Sequence, residues 1–262
     1  TPVAQAYAYS KYIGHLKLTF DDAGNVTAAT GDTILLDASV EEDAGIVARV
    51  AELAGPIEEM KSRVVASSAG PIEGDRSVCR VQECAMGNLV ADAMLDRVKD
   101  QGVQIAIQNA GGVRASIDAG EVTMGEVLTV LPFQNTLSTF QVTGQTIIDA
   151  LENGVSQIEE VKGRFPAVAG LKFTFDASVA PNEGRIQEVM VMENGAFTPI
   201  DPAKTYGVVS NNYVRQGGDG YKMFVDAANA YDYGPDLADV VAEYMAENGD
   251  NVIAIEGRIT QK

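Results

Sequence analysis

The sequence predicts an α+β fold, with mixed β-sheets flanked by helices. Strand-like and helix-like runs are intermixed, and neighbouring strands are joined as hairpins rather than as regular β-α-β units. The signatures of doubly wound nucleotide folds are missing: no G-x-G-x-x-G follows a strand and there is no P-loop lysine. A G-x-S-x-G nucleophile elbow is absent too, as is any internal repeat or low-complexity tract. At 262 residues and 46% apolar, the chain can bury the core of one large domain plus an appendage.

The elements read as follows. Tyr12–Phe20 is strand-like and carries the single histidine, His15, as a half-buried strand residue; Asp21-Asp-Ala-Gly-Asn25 is the hairpin turn to the next strand. Ser39-Val-Glu-Glu42 fits a capping box. It opens an acidic amphipathic helix with Val40, Ala44, Val47, Ala51 and Ala54 on one stripe. Gly55-Pro56 interrupts that helix, because proline lacks the amide donor, and the pattern resumes at Ile57 and Met60. Val64-Val65-Ala66 opens the main domain as a strand. Met86, Leu89, Val90, Ala93, Met94 and Val98 predict a helix over 85–98. Thr143 caps a helix running to Val155, with Ile147, Ile148 and Leu151 inward. Strands follow at Leu171–Phe175, 186–192 and 206–209, then a helix over 237–245 and a last strand over 251–255. The segment 154–164 reads as a flexible loop.

Three segments carry ligand-binding chemistry. Behind the apolar run at 206–209 comes Ser210-Asn-Asn-Tyr213-Val-Arg-Gln-Gly217-Gly218-Asp219-Gly220-Tyr221. Its glycines let the backbone turn sharply and approach a ligand. Asp219, the only charge in that turn, suits a vicinal diol, and Tyr213 offers a flat face. The same pattern also fits a tight turn whose Asp caps the next element. In a second segment, the strand-like Gln104-Ile-Ala-Ile-Gln108 runs into Asn109-Ala-Gly111-Gly112-Val113-Arg114, a backbone nest beside a guanidinium that suits phosphate or carboxylate. In the third, Val130-Leu-Pro132-Phe133-Gln-Asn135, proline ends an apolar helix-like run and leaves Phe133 at its tip, a position that core aromatics also occupy.

Taken in order, Met86-Gly-Asn-Leu-Val-Ala-Asp-Ala93, Gln108-Asn-Ala-Gly-Gly-Val-Arg114, Leu131-Pro-Phe133 and Asn212-Tyr-Val-Arg-Gln-Gly-Gly-Asp-Gly-Tyr221 resemble the C-terminal, substrate-binding domain of the 5'-nucleotidase and UDP-sugar hydrolase family across residues 64–262. The resemblance implies a nucleotide-recognition domain of a metal-dependent phosphoester hydrolase. It implies a base sandwiched between Phe133 and Tyr213, ribose hydroxyls on Asp219, and phosphate facing Arg80 and Arg114. Asn109 and the Gly111-Gly112 backbone would complete the pocket. Tyr213 departs from the phenylalanine of many relatives and brings a hydroxyl that needs a partner. The resemblance also implies a Cys79–Cys84 disulfide beside Arg80, which closes a short ring worth about 2 kcal/mol. A disulfide would point to a periplasmic or extracellular setting; a pair of reduced thiols is the other reading.

Composition narrows the chemistry. Hydrolysis across two metals needs a cluster of His, Asp and Asn ligands holding ions about 3.5–4 Å apart, and with one histidine this chain has no such spacing. We therefore expect no catalytic or metal-ligating residue here, and two divalent ions on a metallophosphatase domain acting in cis. Residues 1–38 resemble the last strands of that domain, and residues 39–63 read as the connecting helix. The net charge of −18 argues against nucleic acid polymers but permits a mononucleotide such as adenosine or AMP at a local arginine pair. No apolar run approaches the length of a membrane span. Other activities of the family also fit, namely 2',3'-cyclic-nucleotide phosphodiesterase, nucleotide-sugar diphosphatase and thiosulfohydrolase, as does a non-catalytic nucleoside-binding module.

Overall fold

The structure, a computed structural model, describes residues 2–262. The chain forms two compact units, one ending at Ile57 and the other spanning Glu58–Lys262. In the first, β1 (Tyr12–Phe20) and β2 (Val26–Leu35) pair as an antiparallel hairpin. Asp21 ties their turn, its Oδ1 accepting from the amides of Ala23 and Asn25 at 3.0 and 2.8 Å. His15 is exposed rather than half-buried; among the described residues of its unit the two-stranded ribbon has no second sheet to pack on.

Helix α1 (Ala44–Ser62) crosses the division between the units. It differs from expectation at both its start and its middle. Ser39 is held by the Asp37 carboxylate, so Asp43 caps the helix instead, accepting from the Ile46 amide at 3.0 Å. Pro56 lies inside the helix without ending it. The stripe read as amphipathic is not covered: no residue of α1 is buried.

The second unit runs β3 (Val64–Ser68), α2 (Arg76–Cys79), α3 (Ala85–Arg97), β4 (Ile105–Asn109), β5 (Gly120–Thr123), α4 (Met124–Val130), β6 (Leu137–Thr143) and α5 (Gly144–Val155). It continues β7 (Pro166–Ala169), β8 (Leu171–Phe175), β9 (Ile186–Glu193), β10 (Ala196–Pro199), β11 (Thr205–Asn211), α6 (Asn212–Arg215), β12 (Ala228–Tyr231), α7 (Leu237–Glu247), β13 (Asp250–Asn251) and β14 (Ile259–Gln261). The fold is α+β with mixed sheets. A five-stranded sheet orders β12-β6-β11-β4-β7, a four-stranded one β10-β9-β8-β14 and a three-stranded one β13-β3-β5. One apolar core gathers Met86, Leu89 and Val90 of α3 with Val240, Val241 and Met245 of α7. A second joins Ile147 and Leu151 of α5 to Phe140, Phe173, Tyr206 and Phe224.

Strand β4 is buried at every position and lies inside the large sheet, between β11, which runs parallel to it, and the antiparallel edge strand β7. Val208 and Val209 lie opposite Ile105 and Ala106, and the two strands therefore end at the same edge, at Asn109 and Asn211. The carboxyl ends of parallel strands are where such sheets place ligands.

Two expectations fail on the far side of the domain. The sequence predicts a final strand over 251–255, yet only Asp250–Asn251 pair there, and Val252 and Ile255 are exposed. The last strand is β14, parallel to β8, and it follows a buried Arg258 whose guanidinium meets both Asp92 oxygens at 2.8 Å. The segment 154–164 is pinned rather than loose. Gly163 accepts from the Gly111 amide at 2.7 Å, and Arg164 Nη1 donates to Asn153 and Ser156 at 3.1 Å each. Among the described residues no helix is long and apolar enough to cross a membrane.

Candidate functional site

The chains leaving β4 and β11 form one cleft of about 540 Å³, lined by Arg80, Asn109, Gly111, Gly112, Arg114, Phe133, Asn135, Gly163, Tyr213 and Asp219. All eight residues singled out in the sequence for ligand contact are among them. Asn135 and Gly163 are additions.

The floor is a polar network held by the sheet edge. Asn211, fully buried, caps α6 by accepting from the Val214 amide at 2.9 Å. Its Nδ2 donates to Gln108 at 2.8 Å and to Asn109 Oδ1 at 2.9 Å. That leaves the Asn109 amide pointing onward, and it donates to Asp219 Oδ2 at 2.7 Å. Asp219 sits in left-handed backbone (φ 52°) in a turn that also holds Gly217 (φ 90°) and Gly220 (φ 85°). A carboxylate side chain is tolerated there where a branched one is not.

The aromatic rim is open: Phe133 is 54% and Tyr213 47% exposed. Tyr213 lies flat on the Gly-rich turn, since a Cβ at Gly218 would fall 2.5 Å from its ring. Its hydroxyl donates to Asp219 Oδ1 at 3.0 Å and accepts from the Asp219 amide at 3.2 Å. Burial raises the Tyr213 phenol above its ordinary pKa, and the Asp219 charge adds to this. The Arg114 guanidinium stands over the Phe133 ring, 5.5 Å from its centroid.

The cationic side is anchored by a short covalent loop. Cys79, the last residue of α2, is disulfide-bonded to Cys84, which caps α3. Arg80 follows directly and donates from Nη1 to the Val161 carbonyl at 3.2 Å, while its buried Nε has no partner. Burial, then the charges of Arg76 and Arg114, lower the Arg80 guanidinium from its usual value, and Asp219 opposes them. Such a site is short of negative charge. Behind the loop, Glu83 is buried and accepts from Asn88 Nδ2 at 2.7 Å and from the amides of Glu256, Arg258 and Ile259 at 2.8, 2.7 and 3.3 Å. Burial works to raise this carboxyl, but these donors together hold it below the usual carboxylate range.

Gly163 escaped the sequence reading because nothing in Lys162-Gly-Arg164 announces a partner; it reaches the site only by folding onto Gly111. Asn135 and Asn211 left a fainter trace, as asparagines inside the marked segments to which no role was given.

Fold and cleft together define an α+β domain with an open site at the carboxyl ends of two parallel strands. The chain belongs to the family described as 5'-nucleotidase, C-terminal domain, which it matches over residues 64–226. It is 36% identical over its full length to a trifunctional nucleotide phosphoesterase of Bacillus subtilis, of which it covers 18%. It is also 34% identical to the 5'-nucleotidase of Rattus norvegicus, over 98% of this chain and 47% of that protein. Among solved structures, a 5'-nucleotidase precursor from Thermus thermophilus superposes with a TM-score of 0.78 at 37% identity, over 98% of this chain and 51% of that one. The chain thus spans about half the length of these relatives, or less.

Proposed function

We propose that this chain is the nucleotide-recognition half of a metal-dependent 5'-nucleotidase that hydrolyses nucleoside 5'-phosphates in the periplasm or outside the cell. The base stacks between Phe133 and Tyr213, Asp219 accepts the ribose hydroxyls, and Arg80 and Arg114 face the phosphate, with Asn109 and the Gly111-Gly112 backbone closing the pocket. The observation that carries this reading is convergence: segments from Arg80 to Asp219 meet at one cleft offering two wet aromatic faces, one carboxylate and two guanidinium groups. Its volume lies within the usual range for small-ligand sites. Stacking contributes about 1–3 kcal/mol per base and scarcely discriminates among bases, so orientation falls to the sugar and phosphate contacts.

This chain's own residues do not fit a two-metal centre. Among those described, no three or more His, Cys, Asp or Glu side chains lie together as a cation site. We assign both ions to a metallophosphatase domain in cis, with residues 1–38 as its last strands and 39–63 as the connecting helix. The chain alone is then expected to bind without hydrolysing. Calorimetric titration with adenosine, AMP and inorganic phosphate tests the pocket. Adenosine and AMP should bind, and Tyr213→Ala should weaken both by about 1–3 kcal/mol; binding that survives the substitution unchanged would remove the base from this site.

A further inference from the structure

The hydroxyl of Tyr213 has a partner the sequence did not reveal. It donates to Asp219 Oδ1 at 3.0 Å and accepts from the Asp219 amide at 3.2 Å, so one side chain is tied to both the carboxylate and the backbone of a residue six positions on. The ring has little freedom to leave, because it rests on the Gly218 backbone. The Asp219 peptide is held from the other side by Asn153 Nδ2, 3.2 Å from its carbonyl oxygen. A carboxylate has about four acceptor positions. Tyr213 takes one on Oδ1 and Asn109 takes one on Oδ2, which leaves one on each oxygen.

We infer that the Tyr213 hydroxyl is a positioning group that locks Asp219 so that its two remaining acceptors, one per oxygen, match the two hydroxyls of a cis-diol. The inference rests on the nucleoside reading above and deepens it. The wall that stacks the base and the acceptor that takes the sugar form one rigid unit, and the site selects ligands carrying both hydroxyls. A phenylalanine here would keep the stacking face but free the carboxylate to turn, so the selection would weaken while base binding stayed.

The test is calorimetric titration of the full chain and of Tyr213→Phe with adenosine and with 2',3'-dideoxyadenosine. Losing a hydrogen bond to a charged group is expected to weaken adenosine binding about tenfold, while dideoxyadenosine changes by less than about twofold because it makes no use of Asp219. An equal loss for both ligands, or none for adenosine, overturns the positioning role and leaves the nucleoside pocket standing. Failure of the unaltered chain to bind adenosine overturns both. A second measurement needs no ligand. The Tyr213 phenol is raised above its ordinary value by burial and the Asp219 charge, with Arg164 opposing, and NMR of ring-labelled tyrosine should follow its titration. Asp219→Asn should bring that titration down; one that does not move overturns the contact itself.

Discussion

On the floor of the cleft Asn109 is 3% exposed and commits its side chain to Asn211 and Asp219, whereas on the rim Phe133 is 54% exposed, with the Arg114 guanidinium over its ring. The floor is polar and dry. Its groups have no water to fall back on, so each must be satisfied by another, and the geometry is fixed before any ligand arrives. The rim is apolar and wet, which leaves its burial as free energy that a ligand can gain. Floor substitutions should therefore register as stability and rim substitutions as affinity.

The sharpest way to break this contrast is Asn211→Leu. It orphans Gln108 Oε1 and the Val214 amide and leaves Asn109 Oδ1 only a long contact from Gln108 Nε2 at 3.5 Å, and is expected to cost about 4 kcal/mol in chemical denaturation. A loss under about 1 kcal/mol would mean the floor tolerates disorder. Next is Glu83→Gln, beneath the arginine side, at about 3 kcal/mol near neutral pH. Because the folded Glu83 carboxyl lies below its usual range, its contribution is present above the unfolded pKa and is lost as pH falls through the folded one. The gap between the two proteins should thus be full at neutral pH and close in acid, as urea titrations at several pH values would show. Phe133→Ala should lower nucleoside affinity by about 1–3 kcal/mol while shifting stability by less than about 0.5 kcal/mol; the reverse pattern would make Phe133 a core residue. Smallest is Gly218→Ala, whose methyl would press on the Tyr213 ring. About 1 kcal/mol of adenosine affinity is expected to go with it, measured by the same calorimetry.

Much of the site was legible because its chemistry is local. Glycines around Asp219 announce a backbone that turns through positive φ, and the structure places Asp219 itself there. The strand before Asn109 announces a sheet edge, and β4 ends on it. What stayed hidden is whatever depends on partners distant in sequence. Asn211 caps α6, but its grip on Asn109 exists only because β4 and β11 lie side by side. The terminal strand was misplaced because Val252, Ile253 and Ile255 look like a buried run, while the segment that does pair begins just after Arg258, a charge paired with Asp92. At α1 the expected cap, Ser39, is already held by the Asp37 carboxylate, which leaves the helix start to Asp43.

The backbones of Gly111 and Gly163 pass so close that a Cβ on Gly163 would lie 2.8 Å from the Gly111 Cα, and one on Gly111 would lie 3.1 Å from the Gly163 Cα. Neither position can drift to alanine and be rescued by a change at the other, since the other has no side chain left to shrink. In a library randomised across the cleft and selected for folding alone, diversity should therefore survive at Phe133, Asn135 and Tyr213, while these two codons return unchanged. Any effort to retune which ligand the domain accepts has its freedom in the walls and none in this seam.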